Sequence, residues 1–304
     1  MEAAAVGNDG QGKESRSSTN LQLCKLQPVD APHGLRLSRI AHWNQTLADW
    51  EFLLQEGTGF GFRTGDGIWV ATLVALPLGN NIGWLSMVLV DPEWRRQGLA
   101  SRLMQEGIRW LQERGLRPVL DATPEGETVY RNLGFSGQEN LARWLLTPGT
   151  GEVPHDIEGD SNIRLVGKPD IGQLARWDKN LAGFDRKAVM EHLHETKPDV
   201  AFLAENTKGD LSGYIMGREG ERATHLGPLV AEDPATARQL ISAAVRAVDS
   251  PLYVDAFSIN QPILAAGLGV HWSKERTFRR MAFGDAPLPG DPRMHYLAAG
   301  PELG

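Results

Sequence analysis

The chain has 304 residues and a net charge of −7, with 41% hydrophobic and 23% charged residues. These values are typical of a globular protein of two domains, and the acidic charge disfavours nucleic acid as a partner. The single cysteine, Cys24, excludes an intrachain disulfide, and the longest apolar run, Ile68 to Leu78, is too short to span a bilayer. We therefore expect a cytoplasmic protein with no membrane partner.

The first half of the chain alternates the patterns of strands and helices. Residues 1–30 are polar and lack the apolar core of a signal peptide, which predicts a disordered tail. Strands are predicted from alternating or continuous apolar runs, and helices from apolar residues three or four positions apart. The predicted strands are Gly34–Arg39, Phe60–Arg63, Ile68–Leu76, Trp84–Val90 and Pro118–Ala122. The predicted helices are Trp43–Gln55, the segment with Leu99, Leu103, Ile108 and Leu111, and Thr128–Leu133, which ends at Gly134 as a left-handed cap.

The second half repeats this order. Proline, glycine and acidic residues over 148–162 predict a linker between an N-terminal domain, 31–147, and a C-terminal domain, 163–304. A last strand is predicted around Met294–Ala298. A repeat of this length predicts duplicated domains. The matching segments are Val119-Leu120-Asp121-Ala122 with Tyr253-Val254-Asp255-Ala256, Asp91-Pro92 with Asp233-Pro234, and Gly134-Phe135 with Gly267-Leu268.

The turn after the apolar strand Trp84–Val90 has the features of a pyrophosphate site. Asp91-Pro92 follows the strand, and Arg95-Arg96-Gln97-Gly98-Leu99-Ala100 then opens a helix. A glycine lets the backbone approach phosphates closely, and the helix N-terminus offers unpaired N–H groups and a positive dipole end. The two arginines add positive charge. The alternative interpretation is an ordinary strand-to-helix turn.

This stretch resembles the GNAT superfamily, the Gcn5-related N-acetyltransferases, whose pyrophosphate loop is Arg or Gln, two residues, Gly, one residue, Gly or Ala. The resemblance covers Trp84–Phe135, and the element order extends it over Leu35–Trp144. It implies a mixed α/β fold of two tandem GNAT-like domains, each a mostly antiparallel twisted sheet flanked by helices, and acetyl-CoA (coenzyme A) as the cofactor. The cofactor-binding residues that it implies are Val88, Leu89, Val90, Arg95, Arg96, Gln97, Gly98, Leu99, Ala100, Ser101, Thr123 and Tyr130.

The resemblance also implies two catalytic groups. Tyr130 stands where the family often places a general acid, which protonates the departing thiolate of coenzyme A; the alternative is a core tyrosine beside Phe135. A backbone amide within Met87–Val90 would polarise the thioester carbonyl.

The general base departs from the family pattern. Some relatives carry a glutamate on the central strand, where this chain has Trp84, and Ser86 is the one polar side chain in that strand. An amine would then lose its proton through water or to a carboxylate from elsewhere. Asp49, Glu51 and Glu56 are weak candidates, with solvated surface charge as the alternative.

The second half has lost the phosphate loop, because Glu232-Asp233-Pro234-Ala235-Thr236-Ala237 has no glycine and its carboxylates would repel a pyrophosphate. Ile263 stands at the position of Tyr130. We expect a degenerate domain that forms a substrate wall or a dimer contact. The spacing of His192 and His194 does not place both on one helix face, so no metal site is predicted. The candidate substrate residues are Asp178, Phe184, Asp185, Arg186, Asp255 and Asn260, each with a cap or turn role as the alternative.

The expected function is transfer of an acetyl group from acetyl-CoA to a primary amine of a small molecule, such as a metabolite or an antibiotic, by direct attack in a ternary complex. Acetylation of protein lysines or N-termini is one alternative, and a non-catalytic acyl-CoA-binding or scaffold protein is another. A longer acyl donor and a homodimer also remain open.

Overall fold

The computed structural model describes residues 20–147, 162–262 and 271–304. In the first half the strands are β1 (Gln22–Leu26), β2 (Thr58–Arg63), β3 (Trp69–Leu78), β4 (Ile82–Val90), β5 (Arg117–Ala122) and β6 (Phe135–Leu146). Its helices are α1 (Ala31–Ile40), α2 (Leu47–Glu56), α3 (Leu99–Gln112) and α4 (Pro124–Asn132).

The second half follows the same order of elements. Its strands are β7 (Asn162–Leu165), β8 (Phe202–Glu205), β9 (Leu211–Arg218), β10 (Thr224–Ala231), β11 (Leu252–Phe257), β12 (Trp272–Phe283) and β13 (His295–Leu297). Its helices are α5 (Ile171–Ala182), α6 (Lys187–Thr196) and α7 (Pro234–Arg246). The described helices include none that is long and apolar enough to cross a membrane.

The strands of both halves join into one sheet, in the order β1-β2-β3-β4-β5-β12-β6-β11-β13-β10-β9-β8-β7. Strand β12 of the second half lies between β5 and β6 of the first half, with Arg279 opposite Ala122. Strand β6 of the first half in turn lies between β12 and β11, with Val254 opposite Trp144. Each half therefore supplies one strand that continues the sheet of the other half.

The core is continuous across the two halves. One buried cluster contains Trp50 and Trp84 from the first half together with Met190 and Tyr214 from the second. Hydrogen bonds also join the two halves. The side chain of Asn44 donates to the Ala223 carbonyl at 2.9 Å and accepts from the Ala223 N–H at 3.1 Å.

The predicted mixed α/β fold with two repeated halves is confirmed, and three local predictions are corrected. Residues 1–30 are not all tail, because Gln22–Leu26 forms the edge strand β1 against β2. Gly34–Arg39 is not a strand but part of helix α1, where a Cβ on Gly34 would lie 2.4 Å from the Trp50 ring. The close packing of α1 on α2 stabilises a helix here, although the alternating pattern of the residues is typical of a strand. Helix α4 begins at Pro124, four residues before the predicted start.

Helix α2 is confirmed but begins at Leu47, four residues after the predicted start. The other predicted elements of the first half are confirmed within two residues, and β13 confirms the last predicted strand. Gly134 has the predicted left-handed conformation, with φ of 96°. The predicted linker at 148–162 lies outside the described residues except for Asn162, which begins β7, and the Gly267-Leu268 and Ile263 correspondences also lie outside them.

Candidate active site

Strand β4 carries a bulge at its centre. Thr72 pairs with Leu89 and Val74 pairs with Ser86, so that one residue of β3 faces both Met87 and Val88. Met87 has a φ of 54°, which is uncommon for a residue other than glycine, and its carbonyl accepts a hydrogen bond from the Thr72 hydroxyl at 2.9 Å. A bulge leaves one residue outside the ladder and re-aims its backbone groups.

Strands β4 and β5 are parallel neighbours only at their beginnings. The paired residues are Ile82–Trp84 with Arg117–Val119, and the strands separate beyond them. A groove with a volume of about 570 Å³ follows the separating end of β4 to the start of α3. It is lined by Ala41, Trp43, Val88, Leu89, Val90, Trp94, Arg95, Arg96, Gly98, Leu99, Ala100, Ser101, Thr123, Glu125 and Arg276.

The turn before α3 keeps the end of this groove open. Gly98 is the N-cap residue of α3 with φ of 75°, and a Cβ built on it would meet no atom within 4 Å. Arg96 also has a positive φ of 64°, and the Arg95 guanidinium donates back to the Val90 carbonyl at 3.2 Å. The first N–H groups of a helix have no partner within that helix, so the start of α3 is suited to an anion.

A small chamber of about 110 Å³ adjoins the groove and shares Trp43, Val88, Thr123 and Arg276 with its lining. Tyr130 lines this chamber together with the bulge of β4. The remaining lining residues are Gln45, Leu85, Ser86, Met87, Leu120, Asp121, Arg143, Phe278, Pro301 and Glu302.

Tyr130 is held against the side of helix α4. A Cβ on Gly126, one turn earlier, would lie 2.8 Å from Cε2 of the Tyr130 ring, so glycine leaves the space that the ring occupies. The ring also packs edge-on against Phe135, with 6.2 Å between the ring centroids. Burial raises the pKa of the Tyr130 phenol to about 12, which keeps it protonated at neutral pH.

The structure brings the predicted cofactor residues together. Ten of them line the groove, and Tyr130 lines the chamber. Gln97 is exposed at the turn and lines neither cavity.

The predicted substrate residues are not brought to these cavities. Asp178 forms a bidentate, buried ion pair with Arg186 at 2.7 and 2.8 Å, and Asp255 forms one with Arg143 at 2.7 and 2.8 Å. Phe184 packs into the shared core. Asp185 accepts from the Lys187 N–H at the start of α6, and the Asn260 amide donates to the His295 carbonyl at 2.7 Å. Their contacts are structural.

The three carboxylates considered as bases also lie elsewhere. Asp49 is buried between Arg218 at 2.9 Å and His192 at 3.2 Å, and these partners outweigh burial and lower its pKa. Glu51 and Glu56 line a separate surface groove between α2 and α6.

The sequence predicted that the second half forms a substrate wall or a dimer contact, but none of the residues by which it lines the chamber was named. Arg276 and Phe278 reach the chamber on β12, and Pro301 and Glu302 reach it from the segment after β13. We call residues 298–304, which follow β13, the closing segment. It is fixed against the chamber, because the Trp84 indole donates to the Pro301 carbonyl at 2.9 Å. No local pattern could have indicated these residues, since they lie more than 130 positions from the motif that they complete.

The second half contains the same three features as the first: a bulged strand, a parallel neighbour that separates from it, and a helix start. In the second half, atoms of the chain itself occupy the space between the strands and the helix end. Strand β10 has a bulge where Gly227-Pro228 faces one residue of β9. Strand β13 pairs with both β10 and β11 and occupies the space where they separate. The carboxylate of Asp233 accepts from the N–H groups of Ala235 and Thr236 at 2.8 and 2.9 Å, at the start of α7.

A bulged strand, a parallel neighbour that separates from it, and a glycine-capped helix define an acyl-coenzyme A transferase fold. The model of the "Acetyltransferase (GNAT) family" matches residues 27–135, and the model of the "Acetyltransferase (GNAT) domain" matches residues 174–297. Together these regions cover more than half of the chain. The protein belongs to the GNAT superfamily, with one domain in each half, and is an acyltransferase.

Known proteins are similar to this chain over most of its length. The uncharacterized N-acetyltransferase YitH of Bacillus subtilis is 25% identical over 236 residues, which are 77% of this chain and 81% of the relative. The structure of a proposed acetyltransferase from Pyrococcus horikoshii is similar with a TM-score of 0.76, at 16% identity, over 97% of this chain and all of that one. A tandem GNAT protein from the clavulanic acid biosynthesis pathway is similar with a TM-score of 0.61, at 14% identity, over 88% of this chain and all of that one.

Proposed function

We propose that the protein transfers an acetyl group from acetyl-CoA to a primary amine of a small molecule, by direct attack in a ternary complex held in the first half. The observation that carries this proposal is the junction of two cavities at the bulge of β4. Val88 lines both the groove and the chamber that Tyr130 lines. Val88 therefore lies between the groove, where we propose that the cofactor binds, and the chamber, where we propose that the acceptor binds.

The residues of the groove fit coenzyme A. The open space over Gly98 admits a phosphate close to the backbone, and the start of α3 presents its N–H groups there. Arg95 and Arg96 from the turn and Arg276 from β12 supply positive charge along the same groove. The separation of β4 from β5 leaves unpaired strand edges for an extended pantetheine arm. When bound, the cofactor supplies the acyl group as a thioester with a thiol leaving group.

In this proposal two groups of the chain assist the transfer. The Val88 amide lies in the bulge, out of the regular ladder, where an N–H can stabilise negative charge on a carbonyl oxygen. The Tyr130 phenol keeps its proton because its pKa is raised to about 12, and it can donate that proton to a departing thiolate. The acceptor ammonium loses one proton to solvent before it attacks, and the second proton, released as the amide forms, restores the phenol. The enzyme adds positioning of the two reactants, which removes much of the entropic barrier.

The size of the chamber supports a small acceptor. At about 110 Å³, and with walls that include Trp43, Phe278 and Pro301, it has room for an amino group and a few carbon atoms. A protein lysine would need a groove open to a whole polypeptide, whereas here the closing segment forms one wall. A non-catalytic scaffold has no need for the alignment of the β4 bulge, Tyr130 and the chamber.

A two-stage assay tests the proposal. Calorimetric titration of the full chain with acetyl-CoA should show one site per chain. Release of the free thiol and mass spectrometry of products should then show acetylation in a panel of small primary amines, with the matching alcohols as controls. Absence of acetyl-CoA binding to the folded protein would reject the proposal. Binding without acetylation of any amine, but with acetylation of a lysine peptide, would move the acceptor class to proteins.

A further inference from the structure

The chamber contains three buried oxygen atoms without a hydrogen-bonding partner in the described part of the chain. They are Oε1 of Gln45, Oγ of Ser86 and Oε2 of Glu302, and all three side chains line the chamber. The residues are 4%, 6% and 1% exposed. Because a buried polar atom without a hydrogen bond destabilises the folded protein, three such atoms in one small cavity indicate a ligand that satisfies them.

These oxygens come from three separate parts of the fold. Ser86 lies on β4, directly before the bulge. Gln45 precedes α2, and its neighbour Asn44 fixes that loop to Ala223 of the second half. Glu302 follows β13, in a turn where the N–H groups of Leu303 and Gly304 donate to the Gly300 carbonyl at 3.1 Å. All three positions are held by backbone structure, so the oxygens are arranged before a ligand enters.

The Glu302 carboxylate is only half satisfied. Its Oε1 accepts from the Arg218 guanidinium, which also donates to Asp49, so one cation serves two buried carboxylates. The other carboxylates near the chamber have arginines of their own, since Asp255 pairs with Arg143 and Asp121 pairs with Arg280. Burial raises the pKa of the Glu302 carboxyl against the opposing effect of Arg218, so a further cation beside Oε2 would favour its charged form.

A primary ammonium matches this arrangement. It carries three N–H donors and one positive charge, and the chamber offers oxygens that accept hydrogen bonds, one of them on a carboxylate. Water would satisfy the hydrogen bonds but would leave the carboxylate without a second cation. A hydroxyl group would supply one donor to three acceptors.

Resting on the proposed function, we propose that Gln45, Ser86 and Glu302 form the binding site for the primary ammonium group of the acceptor, with Glu302 setting its selectivity for a cation. The site places this ammonium next to the β4 bulge. The closing segment of the second half thus supplies the carboxylate that the central strand lacks at Trp84.

The test measures amine binding without turnover. The protein is labelled with ¹³C at its methionine methyl groups, and the Met87 signal, assigned with a Met87→Leu variant, reports on the chamber that Met87 lines. The probe is n-propylamine at neutral pH, with 1-propanol and trimethylpropylammonium as controls that lack the charge or the N–H donors. We expect saturable shifts with n-propylamine in about the millimolar range, because so small a ligand gains little binding energy in total.

The variants locate the site. Glu302→Gln should raise the dissociation constant of n-propylamine about tenfold or more, and Ser86→Ala should raise it about threefold, while the exposed Glu221→Gln should leave it unchanged. Circular dichroism and acetyl-CoA titration of each variant confirm folding and an intact cofactor groove. Ser86→Ala keeps the test decisive if Glu302→Gln does not fold.

The outcomes separate this inference from the proposed function. Equal binding of n-propylamine and 1-propanol, or unchanged binding in both variants, would overturn the ammonium site even if acetyl-CoA binds. If the wild type does not bind acetyl-CoA but binds n-propylamine, and Glu302→Gln weakens that binding, the acetyl transfer would be rejected and the ammonium site would be supported.

Discussion

The two halves of the molecule have the same arrangement of strands and helices but differ at three corresponding places. At the strand bulge the first half has Met87-Val88, whose residues both carry an N–H, whereas the second has Gly227-Pro228, and proline carries none. Between the separating strands the first half has an open groove, whereas the second has β13. The duplicated fold alone is therefore no guide to the presence of a cofactor site.

The third difference lies at the helix N-terminus. Gly98 leaves the first N–H groups of α3 without a side-chain cap, and a Cβ there would meet open space. In the second half the Asp233 carboxylate occupies the corresponding amides of α7. The Asp233 carboxylate caps the helix end of the second half and stabilises it, whereas the corresponding helix end of the first half is uncapped and is the one that we propose for the phosphates of the cofactor.

The largest expected effect comes from closing the open helix end. Gly98→Glu should weaken acetyl-CoA binding about 100-fold or more, because it adds a carboxylate next to the phosphates and a side chain at a positive φ. Calorimetry measures the change. Gly115→Glu is the matched control, since Gly115 has a φ of 71° and open space around it but does not line the groove. Unchanged binding in Gly98→Glu would place the cofactor elsewhere.

Removal of the proposed acid comes next. Tyr130→Phe should lower kcat about 100-fold while acetyl-CoA affinity changes little, because the ring and its packing on Phe135 remain. Steady-state kinetics and calorimetry together measure both effects. Tyr253→Phe, in the second half, removes a phenol that is bonded to Glu275 and serves as the control. Equal kcat in wild type and Tyr130→Phe would assign Tyr130 to the core.

A smaller effect should follow from displacing the same ring. Gly126→Ala places a methyl group 2.8 Å from the present position of Cε2 in Tyr130, and the ring must move. We expect kcat to fall about fivefold although the helix gains up to about 1 kcal/mol in stability. Gly172→Ala in α5 is the control, because its Cβ would meet only Arg176 at 3.7 Å. A rise in stability with unchanged kcat would contradict the positional role of Gly126.

In the second half, the effect should be on stability alone. Asp233→Ala removes the cap of α7 and should lower the free energy of unfolding by about 1 kcal/mol, whereas Asp233→Ser should retain most of it. Denaturant unfolding measures this change. Neither variant should bind a second acetyl-CoA, because Pro228 and β13 remain. A second calorimetric site in Asp233→Ala would show that the carboxylate alone blocks this half.

The smallest effect concerns pH. Since the pKa of Tyr130 is raised to about 12, the phenol should keep its proton up to about pH 10, where an ordinary tyrosine is half ionised. The kcat of the wild type, measured at saturating amine and acetyl-CoA, should show no alkaline loss between about pH 7 and pH 10. A loss with an apparent pKa of about 10 or below, absent in Tyr130→Phe, would contradict the raised value.

The groove proposed for the cofactor could be predicted from the sequence because most of its lining residues are close together in the chain. The strand β4, the turn with Gly98 and the start of α3 lie within about 20 consecutive positions, and backbone geometry joins them directly, although the bulge in β4 was not predicted. The site proposed for the acceptor ammonium could not be predicted, because Gln45, Ser86 and Glu302 come together only through the packing of the two halves. Asp178 and Asp255 looked available as carboxylates, but burial requires partners for such groups, and Arg186 and Arg143 provide them.

The local errors in the fold have a similar origin. Leu35 and Leu37 alternate as in a strand, yet Gly34 against Trp50 makes α1 a closely packed helix. Strand β1 is an edge strand with one partner, β2, and its exposed residues gave the segment the composition of a tail. Both segments depend on contacts that lie far along the chain.

The positions of β6 and β12 make this chain the single-chain counterpart of a strand-swapped dimer. Neither half can complete its sheet alone, because β12 fills the place beside β5 and β6 fills the place beside β11. Cutting the backbone between Leu146 and Asn162 should therefore leave a nicked protein whose fragments copurify. Thermal melting should show one cooperative transition for both halves, so a destabilising mutation in the second half should also unfold the first half.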